Sequence, residues 1–168
     1  GLGYIVYLTY VVAWLREMRL GVGPTVGLWL WLGVAVMASG WVWKAPMARW
    51  WPAHTFAAAT LCTALGTLLP VASSHPLVLL GSASLVGGSF FMAPGAMMAL
   101  ARVTLPTAQW ARAMSFFTFI FAIGQGLGPV AAGWLADTRG MNSAMLAGGV
   151  TLLVAAALAL VQRPGSRA

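Results

Sequence analysis

Between Arg49 and Arg102 lie 52 residues without one lysine, arginine, aspartate or glutamate, and that interval restricts the fold more than any motif in the chain. A bilayer core of about 30 Å takes about 20 residues of helix. The interval is too long for one crossing and fits two. Its natural break is LPVASSHP, Leu69 to Pro76, where two prolines and two serines favour a turn. Other uncharged runs have single-crossing lengths: Pro24 to Trp43 with 20 residues, Ala113 to Ala136 with 24, and Gly140 to Gln162 with 23. The apolar opening GLGYIVYLTYVVAWL supplies one more. Backbone groups in lipid must bond internally, so each run reads as helix; alternating strands of barrel type are not seen. The expectation is an all-α polytopic protein, a single transmembrane domain over 1–168 with spans near 1–15, 24–43, 52–69, 76–99, 113–136 and 141–161.

Composition excludes the competing classes. Charged residues make up 7% of the chain and hydrophobic residues 61%, with a mean hydropathy of +0.88, whereas soluble domains carry roughly 25% charge. Glu17 and Asp137 are the only acids, so the net charge of +7 reflects scarce acids rather than a basic face. The nine bases are scattered between apolar runs, which argues against a nucleic-acid partner. Two distant acids, two distant histidines (His54 and His75) and the lone Cys62 offer no metal site, no disulfide and no enzymatic constellation. No cofactor is called for. There is no initiator Met and no basic leader, and the chain opens inside an apolar stretch, so it reads as a fragment whose first span is shortened.

Loop charges give an orientation. The exits of the even-numbered spans carry Lys44, Arg49, Arg102, Arg112, Arg163 and Arg167 and no acid, while the odd-numbered exits, with Arg16, Glu17, Arg19, His75, Asp137 and Arg139, total +1. The positive-inside rule then places the even exits and the C-terminus in the cytoplasm. Seven of nine tryptophans fall at span ends, as interfacial anchors do.

The most specific stretch is AIGQGLGPVAAGWLADTRG, Ala122 to Gly140. Gly124 and Gly128 put two small residues on one helical face, which admits a neighbouring helix. Pro129 removes a backbone donor and makes a flexible point. Gly133 follows one turn later, and Asp137 and Arg139 mark the exit, where a local interaction between them is expected. Read from the residues alone, this is ordinary helix packing or an interhelical seam capped by an anchored turn.

The segment Pro106 to Gly140 resembles the loop and eleventh span of major facilitator superfamily transporters, through Pro106, Arg112-Ala113, Gly124, Gly128-Pro129, the Gly133-to-Asp137 run and Gly140. The opening GLGYIVYLTYV, the LVGGSF around Gly87 and the GQGLGP together resemble the YbfB/YjiJ-type branch. The resemblance implies twelve spans in two six-helix halves, of which this chain would supply the seventh to twelfth. The partners implied are the lipid bilayer, an N-terminal six-helix half and a small-molecule substrate. The loop after the second span departs from the family pattern: GWVWKAPMARW keeps Gly40, Lys44 and Arg49 but lacks the usual acid.

By the same resemblance the first and fourth spans line a substrate cavity, with parts of the second and fifth, while the third is peripheral. Tyr4, Tyr7 and Trp14 form a loose aromatic stripe on the first span, readable as packing or as a substrate wall. Gln125 is the only amide in the middle of a span, so it either bridges helices or faces a wet cavity. Ser84, Ser89 and Thr118 are weaker candidates, because a hydroxyl can bond its own helix backbone. His54 and His75 read as interfacial residues rather than proton relays, and the last span as an outer scaffold. The expected function is secondary active or facilitative transport of a small solute by alternating access, in the plasma membrane (a bacterial inner membrane), with no enzymatic activity. The alternative is a non-transporting membrane module or an inactive half-protein remnant.

Overall fold

A computed structural model describes residues 1–19 and 21–162. Arg163 and Arg167, which contribute to the loop-charge asymmetry, lie outside the described residues. The elements are α1 (Val6–Glu17), α2 (Val22–Val42), α3 (Lys44–Arg49), α4 (Pro52–Ala72), α5 (Pro76–Ser89), α6 (Met92–Thr104), a 3-10 turn (Thr107–Gln109), α7 (Trp110–Arg139) and α8 (Met141–Leu160). No strand occurs among the described residues. Five helical stretches are long and apolar enough to cross a membrane: Val22–Arg49, Pro52–Ala72, Pro76–Thr104, Thr107–Arg139 and Met141–Leu160. The protein is an all-α polytopic membrane protein. α1, with 12 residues, is shorter than a crossing needs, and its helix starts at Val6.

Local chemistry sets the helix ends. Pro52 and Pro76 stand at the first turn of α4 and α5, where the missing N–H would have no partner. Ser73 Oγ accepts from the His75 N–H at 3.2 Å, and His75 Nδ1 accepts from the Leu77 N–H at 3.3 Å, so His75 caps α5. Gly140 alone joins α7 to α8, at φ 86° and ψ 160°, a backbone region closed to residues with a Cβ.

Two prolines reshape the interval from Arg49 to Arg102. Pro70 falls inside α4 rather than in the turn expected there, because α4 continues to Ala72. A proline leaves the carbonyl four residues earlier without its donor. For Pro70 that carbonyl is Gly66, and the Ser82 hydroxyl of α5 reaches it at 2.6 Å. The Tyr7 hydroxyl lies 2.9 Å from Ser82 Oγ. Since Ser82 has one hydrogen and gives it to the carbonyl, Tyr7 is the donor in that pair. Pro94 acts likewise on the carbonyl of Phe90. The fourth span, read from sequence as one run over 76–99, breaks there into α5 and α6, and the Tyr4 hydroxyl donates to the Phe90 carbonyl. Trp43 Nε1 donates to the adjacent Gly88 carbonyl at 2.8 Å.

α4 is the hub. It packs against α5, α6 and α8, and ten of its 21 residues are buried. α2 has the same length and buries only Leu28 and Ser39. The third span is thus the centre of this helical unit. In lipid no hydrophobic force draws helices together, so close backbone approach at small residues does that work. A Cβ on Gly87 would come 2.6 Å from the Leu32 carbonyl of α2, and one on Gly148 would come 3.0 Å from Val6 of α1.

Candidate functional site

α1 is held between α7 and α8 by glycines on both sides. On α7 the buried positions Gly124, Gly128 and Ala132 recur every four residues and form one face. A Cβ on Gly124 would sit 2.9 Å from the Leu2 nitrogen, and one on Gly128 would sit 2.5 Å from the Leu2 carbonyl oxygen and 3.3 Å from Ile5 Cγ2. Gly133 faces Tyr10, whose hydroxyl would be 2.7 Å from an added Cβ. That same hydroxyl donates to the Pro129 carbonyl at 2.5 Å. The glycine face read in the sequence is therefore a seam whose partner is the turn that leads into α1. α7 runs unbroken through Pro129 from Trp110 to Arg139.

Beside this seam lies a cavity of about 270 Å³ between α4, α6, α7 and α8, with Gly1 and Tyr4 of the segment before α1 at its edge. Tyr4, Thr60, Ala93 and Leu152 line it at buried positions, whereas Met98 and Ile120 are 48% and 51% exposed, so the cavity opens between α6 and α7. Tyr4 organises one wall. Its ring stacks on Phe90 at 4.1 Å between centroids and meets Phe121 edge-on at 5.2 Å. Phe56, Met97, Met114 and Phe117 complete an apolar lining with no charged side chain. The lining as a whole offers shape, aromatic faces and hydroxyls, not acid–base chemistry.

The site residues expected from sequence divide into separate places. Tyr4 and Thr118 both line the cavity. Tyr7 and Trp14 do not, being fully buried packing groups: Tyr7 bonds Ser82, and Trp14 Nε1 donates to Asn142 Oδ1 at 2.8 Å. Ser84 donates to the Leu80 carbonyl at 2.8 Å and accepts from Trp31 Nε1 at 2.8 Å, between α5 and α2. Ser89 bonds Leu85 of its own helix and lies 2.9 Å from Thr63 Oγ1, between α5 and α4. Gln125 is half-buried on α7 and does not line the cavity. Asp137 and Arg139 are both exposed in the last turn of α7, and no ion pair joins them among the described residues. Residues two apart on a helix point in different directions, so the expected local interaction has no geometry to support it.

Sequence reading missed Thr60, Met97, Met98 and Met114. Only Pro94, in the middle of an uncharged run, signalled that the fourth span would be interrupted near them. No group of three or more metal-ligating side chains occurs among the described residues.

Fold and packing together define a polytopic helical membrane protein. The family described as uncharacterised MFS-type transporter YbfB matches residues 1–160. The chain belongs to this family, a branch of the major facilitator transporters. No curated protein and no solved structure matches it.

Proposed function

We infer that this chain is one six-helix half of a secondary active or facilitative transporter that moves a small solute by alternating access. The family match over residues 1–160 carries the reading. Transporters of this kind bind near the membrane midplane between two repeats that rock against each other. Two exposed apolar stripes support a second half as partner. On α2 the stripe is Val22, Val26, Leu30, Val34, Met37 and Trp41; on α7 it is Phe116, Phe119, Ile123, Leu127, Val130 and Trp134. Each follows helical spacing on the side away from the buried contacts. In this reading those helices meet the N-terminal half, and the exposed face of α8, through Val150, Val154 and Leu158, meets lipid. The basic ends near Lys44, Arg49, Arg102 and Arg112 face the cytoplasm of a bacterial cell, and the C-terminus with them.

The seam between α1 and α7 is the element most directly exposed to test. Gly128→Leu in the intact transporter, compared with the parent in a solute-uptake screen of a deletion strain, is expected to abolish complementation while membrane insertion stays normal. Full complementation by a well-inserted variant refutes a gating role for the seam.

A further inference from the structure

We propose that the short helix α3 binds the headgroup of an anionic phospholipid, with Lys44 and Arg49 holding its phosphate. The stretch GWVWKAPMARW, Gly40 to Trp50, departs from the family pattern by lacking an acid, and the transport reading gives it no task. Its fold follows from Pro46. That residue has no N–H for the Val42 carbonyl, so α2 ends at Val42 and the chain resumes as α3 at Lys44. Two contacts fix α3 in place. The buried Trp43 donates to the Gly88 carbonyl at 2.8 Å, and Met47 Cε lies 3.6 Å from where a Cβ on Gly95 of α6 would stand. The rest is open: no residue of α3 is buried, Lys44 and Arg49 are exposed, and Trp50 is 51% exposed.

Depth selects the headgroup layer. α2 has 21 residues, about 32 Å of helix, which spans a hydrocarbon core of about 30 Å. Lys44 follows directly after it, where the phosphates begin, and the Trp50 ring belongs to the same layer. The α6–α7 connection stands further out. Arg102 lies about 10 Å along α6 from Gly95, the residue that α3 touches, and its guanidinium is engaged 5.8 Å from the Trp110 ring centroid. Charge then selects the lipid. The two acids, Glu17 and Asp137, sit at the opposite end, where Trp14 beside Glu17 donates to Asn142 at the start of α8. Lys44 and Arg49 therefore have no carboxylate of this chain to pair with, and the ammonium of a zwitterionic headgroup would find none either. A phosphodiester without an amine, as in phosphatidylglycerol, suits the site. The planar fork of Arg49 takes two phosphate oxygens, and Lys44, about 8 Å away along the helix axis, adds a mobile second charge. This site goes beyond the transport reading and holds in either orientation of the chain.

The test is native mass spectrometry of the full chain purified in detergent, titrated with phosphatidylglycerol, phosphatidylethanolamine or phosphatidylcholine of identical acyl chains. The first phosphatidylglycerol should bind at least about five-fold more tightly than either zwitterionic lipid, since one base near the surface contributes roughly that factor. Lys44→Gln and Arg49→Gln should each weaken its binding about five-fold, and the double variant should abolish the preference. The singles keep the test readable if the double variant does not fold. Lys44→Arg with Arg49→Lys, which preserves both charges, should retain the preference. Arg102→Gln with Arg112→Gln removes the same charge from the same end and should leave the preference intact. The proposal is overturned if phosphatidylglycerol and phosphatidylethanolamine bind the parent equally, if the α3 variants keep the preference, or if the Arg102 and Arg112 pair lowers it as much as the α3 pair does.

Discussion

Gly128 and Gly126 stand two residues apart on α7 and make a matched experiment. A Cβ on Gly128 would lie 2.5 Å from the Leu2 carbonyl oxygen and 3.3 Å from the Leu2 carbonyl carbon, both backbone atoms of the turn that leads into α1. Backbone cannot rotate away as a side-chain tip can, so α1 would have to move by several tenths of an ångström. Forcing a methyl into such a contact costs about 1–3 kcal/mol. A Cβ on Gly126 meets nothing within 4 Å. Both substitutions to alanine gain the same helix propensity, about 0.5–1 kcal/mol. The propensity term cancels in the comparison, leaving the steric one. Gly126→Ala should be neutral or slightly stabilising, and Gly128→Ala should fall below it by about 1–3 kcal/mol. In thermal unfolding of the purified protein that difference is roughly 2–4 °C per kcal/mol for a chain of this length. Disulfide trapping between cysteines placed at Leu2 and Ala131, which border one small surface pocket, would report the displacement of α1 independently. Equal stability of the two alanine variants would refute the close approach of α1 to α7.

Three further outcomes follow from the same geometry. Gly140→Ala should destabilise the α7–α8 connection by about 1–3 kcal/mol, read as a lowered unfolding midpoint, since φ 86° with ψ 160° admits only glycine without strain. Ser82→Ala leaves both the Gly66 carbonyl and the Tyr7 hydroxyl without their partner, so it should lose about 1–3 kcal/mol in the same assay. Tyr4→Phe keeps the stack on Phe90 but removes the donor to its carbonyl; the loss is about 1 kcal/mol, and faster amide exchange around Phe91 to Gly95 is the local sign.

Helical class and most helix ends were legible in the sequence because uncharged length and proline position are local properties. The charge-free run from Pro24 to Trp43 corresponds to a helix over Val22–Val42, and Pro52 and Pro76 open their helices as first-turn prolines do. The short helix Lys44–Arg49 falls where the sequence predicts a loop, since six residues with a proline give no periodic signal. Pro70 misled for a different reason. What lets it stay helical is Ser82, a residue of the next helix, and no local pattern discloses that contact. The site was legible only in part. Glycine spacing on α7 announced a close neighbour without saying that the neighbour is α1. The aromatic stripe on α1 could not be divided by periodicity into Tyr4 at the cavity and Tyr7 and Trp14 in the packing.

The pairing of Pro70 with Ser82 has a genetic consequence. With alanine at 70, the Gly66 carbonyl regains its own donor and the serine has no carbonyl left to serve. The double variant Pro70→Ala, Ser82→Ala should therefore be healthier than Ser82→Ala alone. The two positions are epistatic: a lineage could acquire the proline safely only after the hydroxyl was in place, and could lose the hydroxyl safely only after losing the proline.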